Sequence, residues 1–204
     1  MNEPQSPEPA AKPKVSILMR VILGIVGVIV MVGGIRQMVE GLGNGSGLSR
    51  EVKQLLTESD AALDEANRLG QEAMPSFQDL LNKIDSDGLD VVRSQMKESA
   101  QKSGSMMGQA AISFQTAAKK LDEAAALKPD ETTIEYLALK SQSYRKFAEA
   151  RTVNEDIARM VMDGAIPTID ILTPKVLDAA QRRDEMEAAA VEIAAKADVI
   201  AEKK

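Results

Sequence analysis

The residue types that most often carry enzyme chemistry are missing from this chain. Its 204 residues include no histidine and no cysteine. A Ser-His-Asp triad, a Cys-His dyad, a thiol nucleophile and a zinc site built from Cys or His ligands are therefore excluded. Carboxylates, lysines, arginines and two tyrosines remain as reactive groups. Because these form no recognisable catalytic pattern, we expect a protein without catalytic activity, cofactor or bound metal.

One acidic segment has the composition of a calcium-binding loop. Three aspartates flank a glycine in it: Asp85, Asp87, Gly88 and Asp90. An EF-hand loop needs glycine at its sixth position and a bidentate glutamate at its twelfth. With Gly88 in the sixth position, the first is Lys83 and the twelfth is Ser94, and neither residue fits. We interpret the aspartates as caps of the helix that follows.

Composition and charge limit the fold classes and the kinds of partner that the chain can have. Hydrophobic residues make up 44% of the chain, aromatic residues make up 2%, and the net charge is −6. A core rich in Ala, Leu and Met but poor in rings suits closely packed helices better than a β-sandwich. A nucleic-acid-binding protein normally presents a basic face to the phosphates. The sequence therefore predicts an all-α fold and argues against nucleic acid as a partner.

The amino-terminal part contains a segment with the length and polarity of a transmembrane helix. From Val15 to Ile35 only Ser16 and Arg20 are polar, and an uninterrupted apolar run starts at Val21. At about 1.5 Å per residue the segment reaches about 30 Å as a helix, which matches the apolar thickness of a bilayer. Arg20 lies near one end, where its long side chain reaches the headgroups. We predict a single-pass anchor with the lipid bilayer as its partner.

The processing and the orientation of this segment leave alternatives. Its apolar run also fits the apolar region of a cleavable signal peptide, which would remove residues 1–43. Basic residues are balanced on the two sides of the run: Lys12, Lys14, Arg20, Arg36, Arg50 and Lys53. The short polar amino end favours an uncleaved signal-anchor. We therefore expect a cytoplasmic amino terminus and an extracytoplasmic carboxyl-terminal part.

Composition divides the chain into four parts. These are a Pro-rich disordered tail at 1–14, the anchor at 15–36, a Gly-rich tether at 37–48 and a helical domain at 49–204. The glycines of the tether do not complete the GxGxxG pattern of a nucleotide-binding loop, and they follow an apolar helix instead of a strand. We interpret them as a flexible linker.

Apolar residues in the helical domain recur every three or four positions, which predicts amphipathic helices. The first long helix has a predicted apolar stripe at Val52, Leu55, Ser59, Ala62, Ala66, Leu69 and Ala73. A short helix restarts at Pro75, and three further long helices follow. Because the connections are short, neighbouring helices are expected to run antiparallel. The sequence thus predicts an elongated antiparallel bundle of four long helices and one short helix.

Prolines and acidic residues mark the ends of the later helices. Pro129 stops the second long helix, since proline cannot continue it. Asp130 and Glu131 suit the start of the third, where negative charge meets the positive end of the helix dipole. Thr173 and Pro174 form an N-cap and first-turn pair for the last helix.

The last helix is the candidate interaction surface. Its heptad positions form a seam at Val176, Arg183, Met186, Ile193 and Ile200. Arg183 lies among apolar residues, where it either meets a partner's carboxylate or extends its guanidinium into solvent. Alanine and serine in the helical stripes bury little apolar area per residue. We therefore expect a protein partner or self-association to complete the core.

One segment resembles part of a known repeat. Residues 117–129 are similar to the second helix of a tetratricopeptide repeat at four positions: Ala117, Leu121, Ala124 and Pro129. Upstream, this chain has Ser105 where the repeat has glycine or alanine, and Gly108 where the repeat has a large aromatic residue. The resemblance therefore covers the second helix alone. It implies a peptide-binding helical domain.

These observations support three functional hypotheses. The first is a membrane-anchored helical scaffold or protein-interaction module without catalytic activity. The second is a sensor-type ligand-binding bundle. Since no second apolar run follows Ile35, such a sensor needs a partner subunit to pass its signal. The third is the tetratricopeptide-like peptide-binding domain.

Overall fold

The computed structural model describes residues 48–73, 89–163 and 174–202. Within these ranges all regular secondary structure is α-helical, without any strand. The helices are α1 (Arg50–Ala73), α2 (Leu89–Ala126), α3 (Glu131–Met162) and α4 (Pro174–Glu202). The predicted all-α helical bundle is confirmed at this level.

Several predicted segments lie outside the described residues. They are the disordered tail, the transmembrane anchor, most of the tether and the short helix after Pro75. Among the helices that the structure describes, none is long and apolar enough to cross a membrane. The anchor therefore stays a prediction.

Local hydrogen bonds explain where α1 and α3 begin. Ser49 Oγ accepts a hydrogen bond from the backbone N–H of Val52 at 3.2 Å. Asp130 accepts two from Thr133, one from its backbone N–H at 3.0 Å and one from its hydroxyl at 2.7 Å. Both are N-caps that satisfy donors of the first helical turn. The predicted start of the third long helix is confirmed, and so is Pro174 as the first residue of α4.

The turn between α2 and α3 is tight. Lys128 adopts a left-handed backbone conformation with φ of 51°. Its N–H donates to the carbonyl of Ala125 at 3.0 Å, which satisfies one of the free carbonyls at the end of α2. Pro129 follows and cannot extend the helix. The chain therefore reverses direction within a few residues, and α3 runs antiparallel to α2.

Each helix packs mainly on its neighbours in the sequence, α1 on α2, α2 on α3 and α3 on α4. Buried serines bridge all three interfaces by donating to a backbone carbonyl of the neighbouring helix. Ser59 donates to Ala117 at 3.0 Å. The single hydroxyl hydrogen of Ser141 is shared between the carbonyl of Ala118 at 3.2 Å and Oδ1 of Asp122 at 2.6 Å. Ser143 donates to Ala190 at 2.8 Å. Small side chains at these contacts let the backbones come close, as the alanine-rich and serine-rich stripes predict.

The apolar core is concentrated where α2 ends and α3 begins. Phe114 lies at its centre, with its ring centroid 5.5 Å from that of Phe147 and 6.3 Å from that of Tyr144. All four helices contribute buried residues to this cluster. Toward the other end of α2 and α3, a second cluster of buried residues is small and contains Ala100 and Ala158. The stacked aromatic rings of the described core therefore lie in one half of the bundle.

The buried face of α1 is wider than the predicted stripe. Its buried residues are Val52, Leu56, Ser59, Leu63, Ala66, Leu69 and Ala73. Leu55 and Ala62, which the sequence pattern placed on the stripe, are half-buried at its edge. The predicted stripe is fully buried at five positions and packs against the core at the other two. The buried face is wider than predicted because Leu56 and Leu63, which lie beside the stripe, are also buried.

Glycines allow α2 and α3 to approach closely. A Cβ atom added at Gly104 would lie 2.9 Å from the Cβ of Ala158. At Gly108 it would lie 2.7 Å from Oε2 of Glu155. The two glycines are one helical turn apart and lie on the same face of α2. Any larger residue at 104 would force the two backbones apart.

Candidate functional site

A cluster of buried polar side chains lies in the interface between α3 and α4. Its members are Arg151, Asn154, Arg183 and Glu187. The pair on α3 is three residues apart and the pair on α4 is four apart, so each pair shares one helix face. Three of the four side chains are ionisable. Such groups are rarely buried unless they are paired or functional, which makes this the candidate site.

Arg151 and Glu187 form the centre of the cluster. Nη1 of Arg151 donates to Oε1 of Glu187 at 2.9 Å, and the two side chains are 7% and 8% exposed. Burial raises the pKa of the Glu187 carboxyl, and the guanidinium of Arg151 offsets only part of that effect. Burial likewise lowers the pKa of Arg151. Arginine nevertheless stays protonated at neutral pH. The pair is thus an internal ion pair whose desolvation opposes its mutual attraction.

Arg183 lies inside the bundle, which corrects its predicted position. Its side chain is 0% exposed, whereas the side chain of the adjacent Asp184 is 57% exposed. Nε and Nη2 of Arg183 donate to the same oxygen of Asp184, at 2.8 and 2.5 Å. The guanidinium therefore does not extend into solvent, and that expectation was wrong. Asp184 connects the buried cluster to the surface.

Some atoms of the cluster lack hydrogen-bond partners among the described residues. They are Nε of Arg151 and both polar atoms of the Asn154 side chain. A buried donor or acceptor without a partner costs about 1–3 kcal/mol. The interface between α3 and α4 is therefore not arranged for maximal stability, and these polar atoms are enclosed between the two helices.

A second polar group lies near the other end of the same interface. Lys140 is buried, and its Nζ donates to Oδ1 of Asp198 at 2.6 Å. The same Nζ lies 5.6 Å from the ring centroid of Tyr136, within range of a cation–π interaction. Burial, reinforced by the negative charges of Asp198 and Asp60, raises the pKa of Tyr136. A phenol held protonated in this way is a poor base or nucleophile.

A groove of about 540 Å³ lies between α1 and α2. Side chains of both signs line it, including Arg68 and Glu72 from α1 and Glu98 and Lys102 from α2. Arg68 pairs with Glu65 and Glu72 of its own helix. The lining is thus mostly solvated and internally paired, unlike the apolar walls with a few converging polar groups of a typical small-molecule site. No three potential metal ligands of the His, Cys, Asp or Glu type cluster in the described ranges.

The predicted seam residues of α4 separate into two groups. Val176 and Arg183 are fully buried and pack inside the chain itself. The others are half-buried on one flank of α4 and recur every seven residues: Met186, Ile193 and Ile200. The predicted anchor residues Val15, Arg20, Val21 and Ile35 lie outside the described residues. The seam as an interaction surface and the anchor both stay predictions.

Sequence reasoning missed the α3 side of the polar cluster, Arg151 and Asn154, and its partner Glu187. A signal was present, because Asn154 and Arg183 are polar residues at positions where the apolar stripes of their helices predict burial. The pairing of Arg151 with Glu187 depends on how α4 is rotated on α3, which the heptad pattern alone does not determine.

Comparisons with protein-family models, curated proteins and solved structures found no match to this chain.

Proposed function

We propose that this protein is a membrane-anchored helical scaffold whose bundle holds a protein partner and catalyses no reaction. The half-buried apolar row of Met186, Ile193 and Ile200 supports this proposal best. A repeat of seven is the spacing at which one helix packs along another. Within the described bundle α4 packs mainly on α3, and of this row Ile200 also contacts the edge of the chain's own core, while Met186 and Ile193 are half-buried. The polarity of residues 15–35 supports the anchor.

Photo-crosslinking in intact membranes tests the interaction surface. A photoreactive amino acid at position 193 is expected to give a defined crosslinked product. The same group at Ala188, an exposed position of α4 away from the apolar row, serves as the matched control and should give little. Equal yields at the two positions, or no product at 193, would contradict the proposed surface.

Membrane fractionation tests the anchor. The full chain should stay in the membrane after an alkaline carbonate wash, and deletion of residues 15–36 should release it. A full chain that is washed off would contradict the anchoring, and a mature protein that begins after residue 43 would favour the signal-peptide alternative.

A second candidate function is a ligand-binding bundle that acts with a partner subunit. The unpartnered atoms of Arg151 and Asn154 favour it, since ligand sites of helical bundles are built from side chains on facing helices. A panel of small organic anions should then raise the melting temperature of the full chain, and Arg151→Met should abolish that shift. A melting temperature that none of these anions changes would count against this function.

A further inference from the structure

The two outer helices of the bundle carry rows of opposite charge. On α4 the apolar row of Met186, Ile193 and Ile200 is accompanied by a basic row. Its members recur at steps of seven residues, interrupted once by Ala189: Lys175, Arg182 and Lys196. All three basic residues are exposed, and Nζ of Lys196 pairs with Oε1 of Glu192 on the same helix at 2.8 Å. Charged residues that flank a heptad apolar row commonly determine which helix a surface accepts.

On α1 the same arrangement has the opposite sign. The half-buried apolar residues Leu48, Leu55 and Ala62 form its apolar row, which packs with one side against the chain's own core and is partly exposed on the other. An acidic row with the same repeat of seven runs beside it: Glu51, Glu58, Glu65 and Glu72. Both charged rows span 21 residue steps, about 31 Å of helix at about 1.5 Å per residue. The rows are therefore matched in repeat and in length.

Carboxylates of the acidic row pair with basic residues of the same chain and are accessible to solvent. Hydrogen bonds from Lys120 lower the pKa of Glu58, and hydrogen bonds from Arg68 lower that of Glu65. The side chains of Glu58, Glu65 and Glu72 are 39%, 46% and 47% exposed. Glu72 and Arg68 also line the groove between α1 and α2. Arg68 and Lys120 pair with three of these carboxylates, so this side of α1 keeps a reduced net negative charge beside a concave surface.

The rows also agree in their handedness. In each helix the charged residue follows the apolar residue by three positions, as in Leu55 to Glu58 on α1 and Ile193 to Lys196 on α4. Two helices that carry charge on the same side of their apolar row bring the charges together only when they run antiparallel. Within one chain α1 and α4 point in opposite directions. Two copies that stand side by side with the same polarity therefore present α1 and α4 to each other antiparallel.

We propose that α4 of one copy packs against the α1 edge of the α1–α2 groove of a second copy of this chain. The basic row of one copy then lies along the acidic row of the other. Because different surfaces meet, the contact leaves one α1 and one α4 free and adds further copies. This inference rests on the proposed function and names its partner. The two copies point in the same direction only if the predicted anchor holds both in one membrane.

Charge reversal in the full chain tests the contact. One variant carries Arg182→Glu and Lys196→Glu, and the other carries Glu51→Lys and Glu65→Lys. Like charges facing each other should weaken self-association of each variant at least about tenfold in sedimentation velocity. An equimolar mixture should associate again, because the acidic α4 of one variant fits the basic α1 of the other. Mutual rescue also shows that both variants are folded.

Lys97→Glu with Lys119→Glu is the matched control, since both residues are exposed on α2 away from the two rows. It should associate like the wild type. Carbodiimide crosslinking of isotope-labelled with unlabelled chains should join Lys175 or Lys196 of one copy to the acidic row of another. A monomeric wild type, equal weakening in the control, or a mixture without rescue would overturn the inference.

The outcomes separate this inference from the proposed function. A membrane-bound chain that stays monomeric and crosslinks to a different protein would overturn the self-association alone. A chain that is washed off membranes while the two variants rescue each other would overturn the anchor alone.

Discussion

Replacing Gly104 with alanine measures how closely α2 approaches α3. The new Cβ would lie 2.9 Å from the Cβ of Ala158, well inside the optimal carbon–carbon separation of about 3.5–4.0 Å. Neither atom can rotate away, because each is attached directly to a helical backbone. Alanine gains about 1 kcal/mol over glycine in a helix, whereas overpacking costs about 1–3 kcal/mol. We expect the free energy of unfolding to fall by about 0–2 kcal/mol.

Two other helical glycines provide the reference. At Gly70 an added Cβ meets no atom within 4 Å, so Gly70→Ala should raise the free energy of unfolding by about 1 kcal/mol. At Gly108 the nearest atom is the carboxylate of Glu155, which can rotate away at the expense of its pairing with Arg159. Gly108→Ala should therefore lie between the other two.

Urea unfolding of the full chain, followed by circular dichroism, measures all three variants. Ala158→Gly added to Gly104→Ala should recover part of the loss, because it removes the facing methyl group. The same change added to Gly70→Ala should only destabilise. The reasoning is refuted if Gly104→Ala stabilises the chain as much as Gly70→Ala does.

Three further predictions concern the ion pair and the cap. Glu187→Leu should lower the free energy of unfolding by about 3–5 kcal/mol, because Arg151 is then buried without a partner. Adding Arg151→Met should recover most of this loss in urea unfolding. The pKa of Glu187 is raised in the folded state from its ordinary value of 4.5. The folded state therefore binds the proton of Glu187 more tightly than the unfolded state does. The resulting gain in the free energy of unfolding is fully present below about pH 4.5 and is lost as the pH rises through the raised pKa. Acidification from neutral pH should therefore stabilise the wild type relative to Glu187→Gln, and a difference that does not change with pH contradicts this. Asp130→Ala removes the N-cap of α3 and should cost about 0.5–2 kcal/mol, measured as a lower melting temperature.

The sequence was sufficient where local chemistry decides the structure. Asp130 and Pro174 mark helix starts through their own hydrogen bonding and ring geometry, and both positions were predicted correctly. Helix content followed from the spacing of apolar residues. These features depend on neighbours within one helical turn, so no knowledge of the tertiary contacts was needed.

The sequence was insufficient where one helix rotates on another. Leu55 and Leu56 are adjacent and similar, and only the packing of α1 in the bundle decides that Leu56 is buried. In the same way, Arg183 was expected to reach solvent, but the contact between α4 and α3 encloses it. A seam of alanines and serines contains few large residues that would fix its rotation. The pairing of Arg151 with Glu187 was therefore beyond sequence reasoning.

The serine bridges between the helices make one side of each contact sensitive to substitution and leave the other side tolerant. Ser59, Ser141 and Ser143 each supply a hydroxyl, which among small residues only serine or threonine provides. The opposite residue contributes a main-chain oxygen, which every amino acid has. Replacement of Ala117 or Ala190 by another small residue should leave its bridge intact, whereas loss of the hydroxyl removes it. Substitutions during evolution are thus expected to be rare at the serine of each contact and more frequent at the residue that contributes the carbonyl.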